Sequence, residues 1–224
     1  FVTNSTHPVD TDGHGTHLLT LLLGMECPAD LYVARVTESS RSLKASVGHV
    51  ANAIRTAAEE WDVDFICLSF GFPTHVQVIQ DAISHAVYFK KKAITFFAAA
   101  NNDGYNSGEM FPANLGEAVI PIRATTREGT FHPKYDPPPS YSSPEPLFGT
   151  LNYDVLSDWP GTDTVRSMSG CSVATSIAAA ITTMLIQYAS NEFSMEDLRL
   201  MRTRRGVFEL FTGTGSLRIL TRFG

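Results

Sequence analysis

Apolar positions along the chain follow two rhythms. Short, nearly continuous apolar runs recur at LYVARV (31–36), FICLSF (65–70), AITFFAAA (93–100) and AVIPIRA (118–124). Their length and their β-branched and aromatic content predict strands of a sheet covered on both faces. Between them, ASVGHVANAIRTAAEEW (45–61) and HVQVIQDAISHAVYFKKK (75–92) carry apolar residues at helical spacing,. Strand, helix, strand, helix, strand in that order predicts right-handed crossovers and a parallel sheet, hence an α/β layered domain. In such sheets the working site lies beyond the carboxyl ends of the strands. That directs attention to the segments after Phe70 and Ala100.

From 127 to 160 the regular pattern dissolves. HPKYDPPPSYSSPEP holds six of the chain's 12 prolines, which excludes a helix or a central strand and predicts an ordered surface excursion. The next segment, SVATSIAAAITTMLIQYA (172–189), reads as a long, almost wholly apolar helix central to the core. SMEDLRLM then opens on a capping box, Ser194 with Asp197. No internal repeat is visible, and residues 1–224 are expected to form one domain.

Charge and composition narrow the function. A net charge of −6 argues against a nucleic-acid surface, and the basic cluster between Arg199 and Arg205 reads as a solvated helix end. No apolar run is expected to reach the roughly 18 residues that span a bilayer, so no membrane partner is expected. Cys27, Cys67 and Cys171 are odd in number and form no CxxC pair. This disfavours a disulfide framework and a structural zinc site, and favours a reducing, intracellular compartment.

Three polar stretches carry candidate chemistry: GHGTH (13–17), AAANND (98–103) and SGCSVAT (169–175). Each has an ordinary reading: glycines turning the chain into a leucine-rich helix, a turn after a strand, and a helix N-cap at Ser169 or Ser172. Together they fit one mechanism. A serine at a buried helix start lies where backbone N–H groups stabilise negative charge. A histidine on another helix start serves as its base. An asparagine past a strand end donates a second hydrogen bond to an oxyanion.

These stretches resemble the subtilases, the subtilisin-like serine proteases of the peptidase S8 family. GHGTH resembles the family's histidine signature, SGCSVAT its serine signature SGTSMA, and AAANND the AAAGN stretch. LSFG (68–71) resembles the SLG strand that pairs with substrate, LYVARV a core strand, and FPA (111–113) a turn usually written YPA. The spacing most resembles intracellular fungal members, some of which sit on longer multidomain proteins. The resemblance implies a three-layer α/β fold with a mainly parallel sheet. It also implies a serine endopeptidase acting on polypeptides with no cofactor: Ser172 as nucleophile, His14 as base, Asn102 in the oxyanion hole, and Ser69, Phe70 and Gly71 along the substrate.

The chain departs from the family at four points. The family's triad begins with an aspartate on a strand well upstream of the histidine, whereas 13 residues precede His14 here. The resemblance therefore implies that this aspartate and its strand lie outside the chain; Asp10 and Asp12 are expected to be turn residues. LLTLLLGMECPAD (18–30) replaces a loop that often wraps calcium, with too few oxygen ligands for such a cage, so no metal is expected. Cys171 stands where threonine is usual, but the flanking pattern puts Ser172 at the nucleophile position. Ser176 replaces a usual proline. These departures keep open a catalytically impaired recognition or regulatory module within a larger protein. A metal pair of His14 and His17 lacks a third ligand, and His17 is expected to pack under the site. His7, His49, His75, His85 and His132 are expected to be ordinary surface or packed residues.

Overall fold

A computed structural model describes residues 1–2, 9–89, 94–104, 108–131, 147–161 and 164–213. Among these a four-stranded sheet runs in the order β1 (Phe65–Leu68), β2 (Thr95–Ala99), β3 (Val119–Thr125), β4 (Phe148–Leu151). Every pair is parallel, with Phe65 opposite Thr95, Phe96 opposite Val119 and Ile122 opposite Phe148. A separate antiparallel pair, β5 (Val155–Asp158) and β6 (Val165–Met168), follows the sheet.

Helices cover both faces of the sheet, so the domain has three layers. On one face lie α2 (Val47–Glu59) and α3 (Gln77–Ser84), the latter running into a π-helical turn at His85–Phe89. Val50, Ile54 and Ala58 of α2 and Ile79, Ala82 and Ile83 of α3 meet Leu68, Phe96, Ala98 and Val119. The i, i+4, i+8 and i, i+3, i+4 spacings of those residues are why these segments are helices with one buried side. On the other face lies α4 (Cys171–Ala189), whose Ala174 and Ala178 pack on Phe97, Ile120 and Ile122 with Val207 of α6 (Arg204–Gly213). Alternation along β2 sends Phe96 and Ala98 to one layer and Phe97 to the other,.

Three expectations change. Residues 31–36 form no strand: they lie outside the hydrogen-bonded sheet, with Tyr32 54% and Val33 62% exposed. An apolar run signals a need for burial but does not supply a neighbouring strand. The stretch 127–160 is not wholly irregular, since it contains β4 and β5. These strands are short and of mixed polarity, which hid them; residues 132–146, with six of the seven prolines of the excursion, lie outside the described residues. Finally, α4 is 19 residues long and apolar enough by composition to cross a bilayer. It packs instead along β1 to β4, as the helix at the centre of the fold.

The capping box at Ser194 is present: the Asp197 N–H donates to Ser194 Oγ, and Asp197 Oδ2 accepts from the Ser194 N–H, at the start of α5 (Met195–Met201). Phe97 is fully buried between β2 and α4. Phe97→Ala is expected to lower stability by about 3–5 kcal/mol, measurable as a fall in the midpoint of urea unfolding.

Candidate active site

The first turn of α4 rests on the carboxyl edge of the sheet. Ser172 follows the first helical residue, and its Oγ donates to the Ser69 carbonyl at 2.9 Å, just past the end of β1. Ser69 Oγ returns a bond to the Ser172 carbonyl at 3.2 Å. Thr150 of β4 donates to the Ala174 carbonyl at 3.0 Å, and the Gly170 N–H donates to the Asn152 carbonyl at 3.1 Å. Neither Ser169 nor Ser172 caps the helix; the cap position is Gly170. Its φ of 138° lies in a region reserved for glycine, and a Cβ there would stand 3.0 Å from Asn102 Oδ1,.

Two asparagines past β2 divide the work. Asn101 makes the turn: its Oδ1 accepts from the Asn102 and Asp103 N–H groups, and its Nδ2 donates to the Gly108 carbonyl. Asn102 reaches the helix, where its Oδ1 accepts from the Cys171 N–H at 2.7 Å. Because that partner is a donor, the amide orientation is fixed, and Nδ2 is the atom left to donate. The buried Cys171 thiol donates to the Asn101 carbonyl at 2.7 Å. Phe70 stacks edge-on against Phe72, which pairs with Phe111 in an isolated antiparallel bridge, and Gly71 lies against Met110.

His14 opens α1 (His14–Gly24), which packs against α4 and β5. The turn before it is held by Asp10, whose Oδ1 accepts from the Asp12 and Gly13 N–H groups and whose Oδ2 accepts from the Thr16 N–H and hydroxyl. Asp12 instead binds the Ser40 N–H and hydroxyl. Both aspartates are thus engaged as turn and cap residues. Among the described residues no hydrogen bond joins the His14 ring to a carboxylate or to Ser172. His17 is fully buried, and its Nε2 donates to the Val155 and Arg166 carbonyls at 3.0 and 3.2 Å, linking α1 to the β5–β6 pair. That arrangement removes it from any metal pair with His14. Sequence reasoning missed Trp159, whose ring packs on Gly13 and meets His17 edge-on, with the Arg166 guanidinium over its face. Nothing in the sequence around Trp159 signals that contact.

Burial holds the His14 pKa below the usual histidine value, against the opposing pull of Asp12 and Asp10,. The ring is therefore neutral near pH 7, the form a general base requires. For Asp10, burial pushes the pKa up, but the bonds from Gly13, Thr16 and Asp12 outweigh it and hold the carboxyl below its usual value.

The profile of the subtilase family matches residues 2–215. The chain belongs to the subtilase family. It is 27% identical over 213 residues to a thermophilic serine proteinase of Bacillus sp. (strain AK1), covering 87% of this chain and 48% of that protein. It is 28% identical over 195 residues to thermitase of Thermoactinomyces vulgaris, covering 83% and 65%. The chain thus spans about half to two-thirds of these relatives. Its fold is similar to that of the prenylagaramide maturation protease PagA (TM-score 0.65, 20% identity) and of sphericase (TM-score 0.62, 22% identity). Each of those matches covers 88% of this chain and 72% of the other.

Gly170→Ala is expected to cost about 1–3 kcal/mol through its backbone conformation and to displace Asn102, visible as a lowered melting temperature. A histidine with a depressed folded pKa is protonated more readily when unfolded, so its contribution to stability is present above the unfolded value and lost as pH falls below it. Urea titrations between pH 7.5 and 5 should therefore show a steeper loss of stability in the wild type than in His14→Ala.

Proposed function

We propose that the chain carries the nucleophile, base and oxyanion donor of a serine endopeptidase. Ser172 Oγ attacks the scissile carbonyl while His14 takes its proton, and His14 then delivers that proton to the leaving amine. The resulting acyl-enzyme is hydrolysed by the same steps with water as the nucleophile. The oxyanion is held by Asn102 Nδ2 and the Ser172 backbone N–H at the positive end of α4. Ser69, Phe70 and Gly71 line the extended polypeptide substrate. The observation that supports this reading is the Asn102 amide, pinned through Oδ1 to the N–H of Cys171, the residue before Ser172, with its Nδ2 left to donate.

In this reading the carboxylate that orients His14 comes from outside the chain, because Asp10 and Asp12 are committed elsewhere. Without it, a kcat loss on the order of 10⁴ is expected, the scale of removing a triad aspartate alone. A second reading, a recognition or regulatory module without turnover, is favoured by one feature: the Ser172 hydroxyl donates to Ser69 rather than to His14.

A fluorophosphonate probe separates the two. A polypeptide that supplies that carboxylate should acquire one covalent adduct at Ser172, lost in Ser172→Ala and His14→Ala. A folded protein that takes no label is the module. Where label forms, Asn102→Ala should lower kcat by about 10²–10³ with little change in KM.

A further inference from the structure

We propose that Arg123 and Glu109 are positioning residues: their buried ion pair fixes residues 108–111, and through them the two asparagines beyond β2, against the start of α4. Arg123 lies near the carboxyl end of β3 with 2% of its side chain exposed, and its Nη2 donates to Glu109 Oε1 at 2.6 Å. Ile120, Ile122 and Ala124 of β3 face α4, so alternation places Arg123 with Val119 on the α2–α3 side of the sheet,. A charge is thus carried into an apolar layer and met there by a carboxylate that is itself only 19% exposed.

The segment that holds Glu109 is stitched on either side of it. The Gly108 carbonyl accepts from Asn101 Nδ2 at 2.8 Å, and the Met110 N–H donates to the Ala100 carbonyl at 2.8 Å. Phe111 exchanges two backbone bonds with Phe72, at 2.7 and 3.0 Å, and the Met110 side chain packs on Gly71. Residues 108–111 therefore brace both the stretch after β1 and the turn after β2. From the ion pair the connection to α4 is short. Glu109 holds the segment, the Gly108 carbonyl holds the Asn101 amide, Asn101 Oδ1 holds the Asn102 N–H, and Asn102 Oδ1 meets the Cys171 N–H.

Energetics separate positioning from bulk stabilisation. Burial pushes the Glu109 carboxyl above its usual value, against the pull of the Arg123 charge and hydrogen bond, so the pair returns less than its desolvation takes. Apolar side chains of similar volume would fill the same space with little or no loss of stability. They would also be free to slide, whereas a guanidinium on a carboxylate has a defined length and direction. The inference rests on the oxyanion role proposed for Asn102.

Two variants separate length from charge. Glu109→Asp keeps the charge and shortens the arm by one methylene; Glu109→Gln keeps the arm and its acceptor oxygen and removes the charge. Melting temperature should rank Asp above Gln, because Gln takes a counter-charge from the buried guanidinium. Turnover should rank them the other way. On a polypeptide that supplies the His14 carboxylate, Glu109→Asp should lower kcat for a peptide substrate by about tenfold to a hundredfold with KM unchanged, while Glu109→Gln keeps most of it. If kcat instead follows the melting temperatures, the pair is structural only and the proposal is overturned. A second readout needs no turnover: hydrogen exchange of the Asn101 side-chain amide, followed by NMR in the 224-residue chain. It should be faster in Glu109→Asp than in the wild type and Glu109→Gln; equal rates in all three overturn the proposal. A wild type without turnover defeats the catalytic reading alone, and the exchange rates then decide whether the pair positions the asparagines.

Discussion

The structure depends on the seating of one helical turn against the ends of several strands. Residues 170–174, the cap and first turn of α4, are bonded to Ser69 after β1, to Asn101 and Asn102 after β2, and to Thr150 and Asn152 at the end of β4. Each bond contributes only about 1 kcal/mol net, but they come from three directions, so the turn has one position. The same helix then runs beneath the sheet and buries Phe97, Ile120 and Ile122. Core packing and site geometry are therefore one constraint: a shift of α4 along the sheet would misplace the serine and open the core together.

The histidine belongs to a different substructure. Its helix starts on the Asp10 cap, is pinned by His17 to the carbonyls of Val155 and Arg166, and is tied by Thr20 to Ser157. None of those anchors is a strand of the main sheet. His14 and Ser172 are thus carried by two units that meet where α1 lies on α4. The β5–β6 pair joins them, because it grips His17 and leads directly into Gly170.

The legible part of this arrangement was the part written in local sequence. Three sheet strands announced themselves as apolar runs because both of their faces are buried, and α2, α3 and α4 followed from spacing. The serine, histidine and asparagine stretches were readable because their chemistry demands small neighbours and particular side chains. What remained hidden depends on distant partners. The β5 strand exposes alternate residues and β4 is only partly buried, so both resemble loops. Residues 31–36 resemble a strand, yet form no strand pairing among the described residues. Asp10 appeared to be a turn residue, while its second oxygen reaches Thr16 to cap a helix. Trp159 under Gly13 joins positions far apart in the chain, and no local pattern encodes such a contact.

The Cys171 thiol is buried next to Ser172 and donates its hydrogen to the Asn101 carbonyl. It acts as a rivet between the helix and the strand end that carries Asn102. Inactivation by a thiol-directed inhibitor would therefore say nothing about a cysteine nucleophile. Modification of Cys171 itself would instead time how often the helix start lifts off the sheet, since only then can a bulky reagent reach its sulfur. In pharmacological terms such a reagent would act as a wedge, driving apart the surfaces that hold the Asn102 amide.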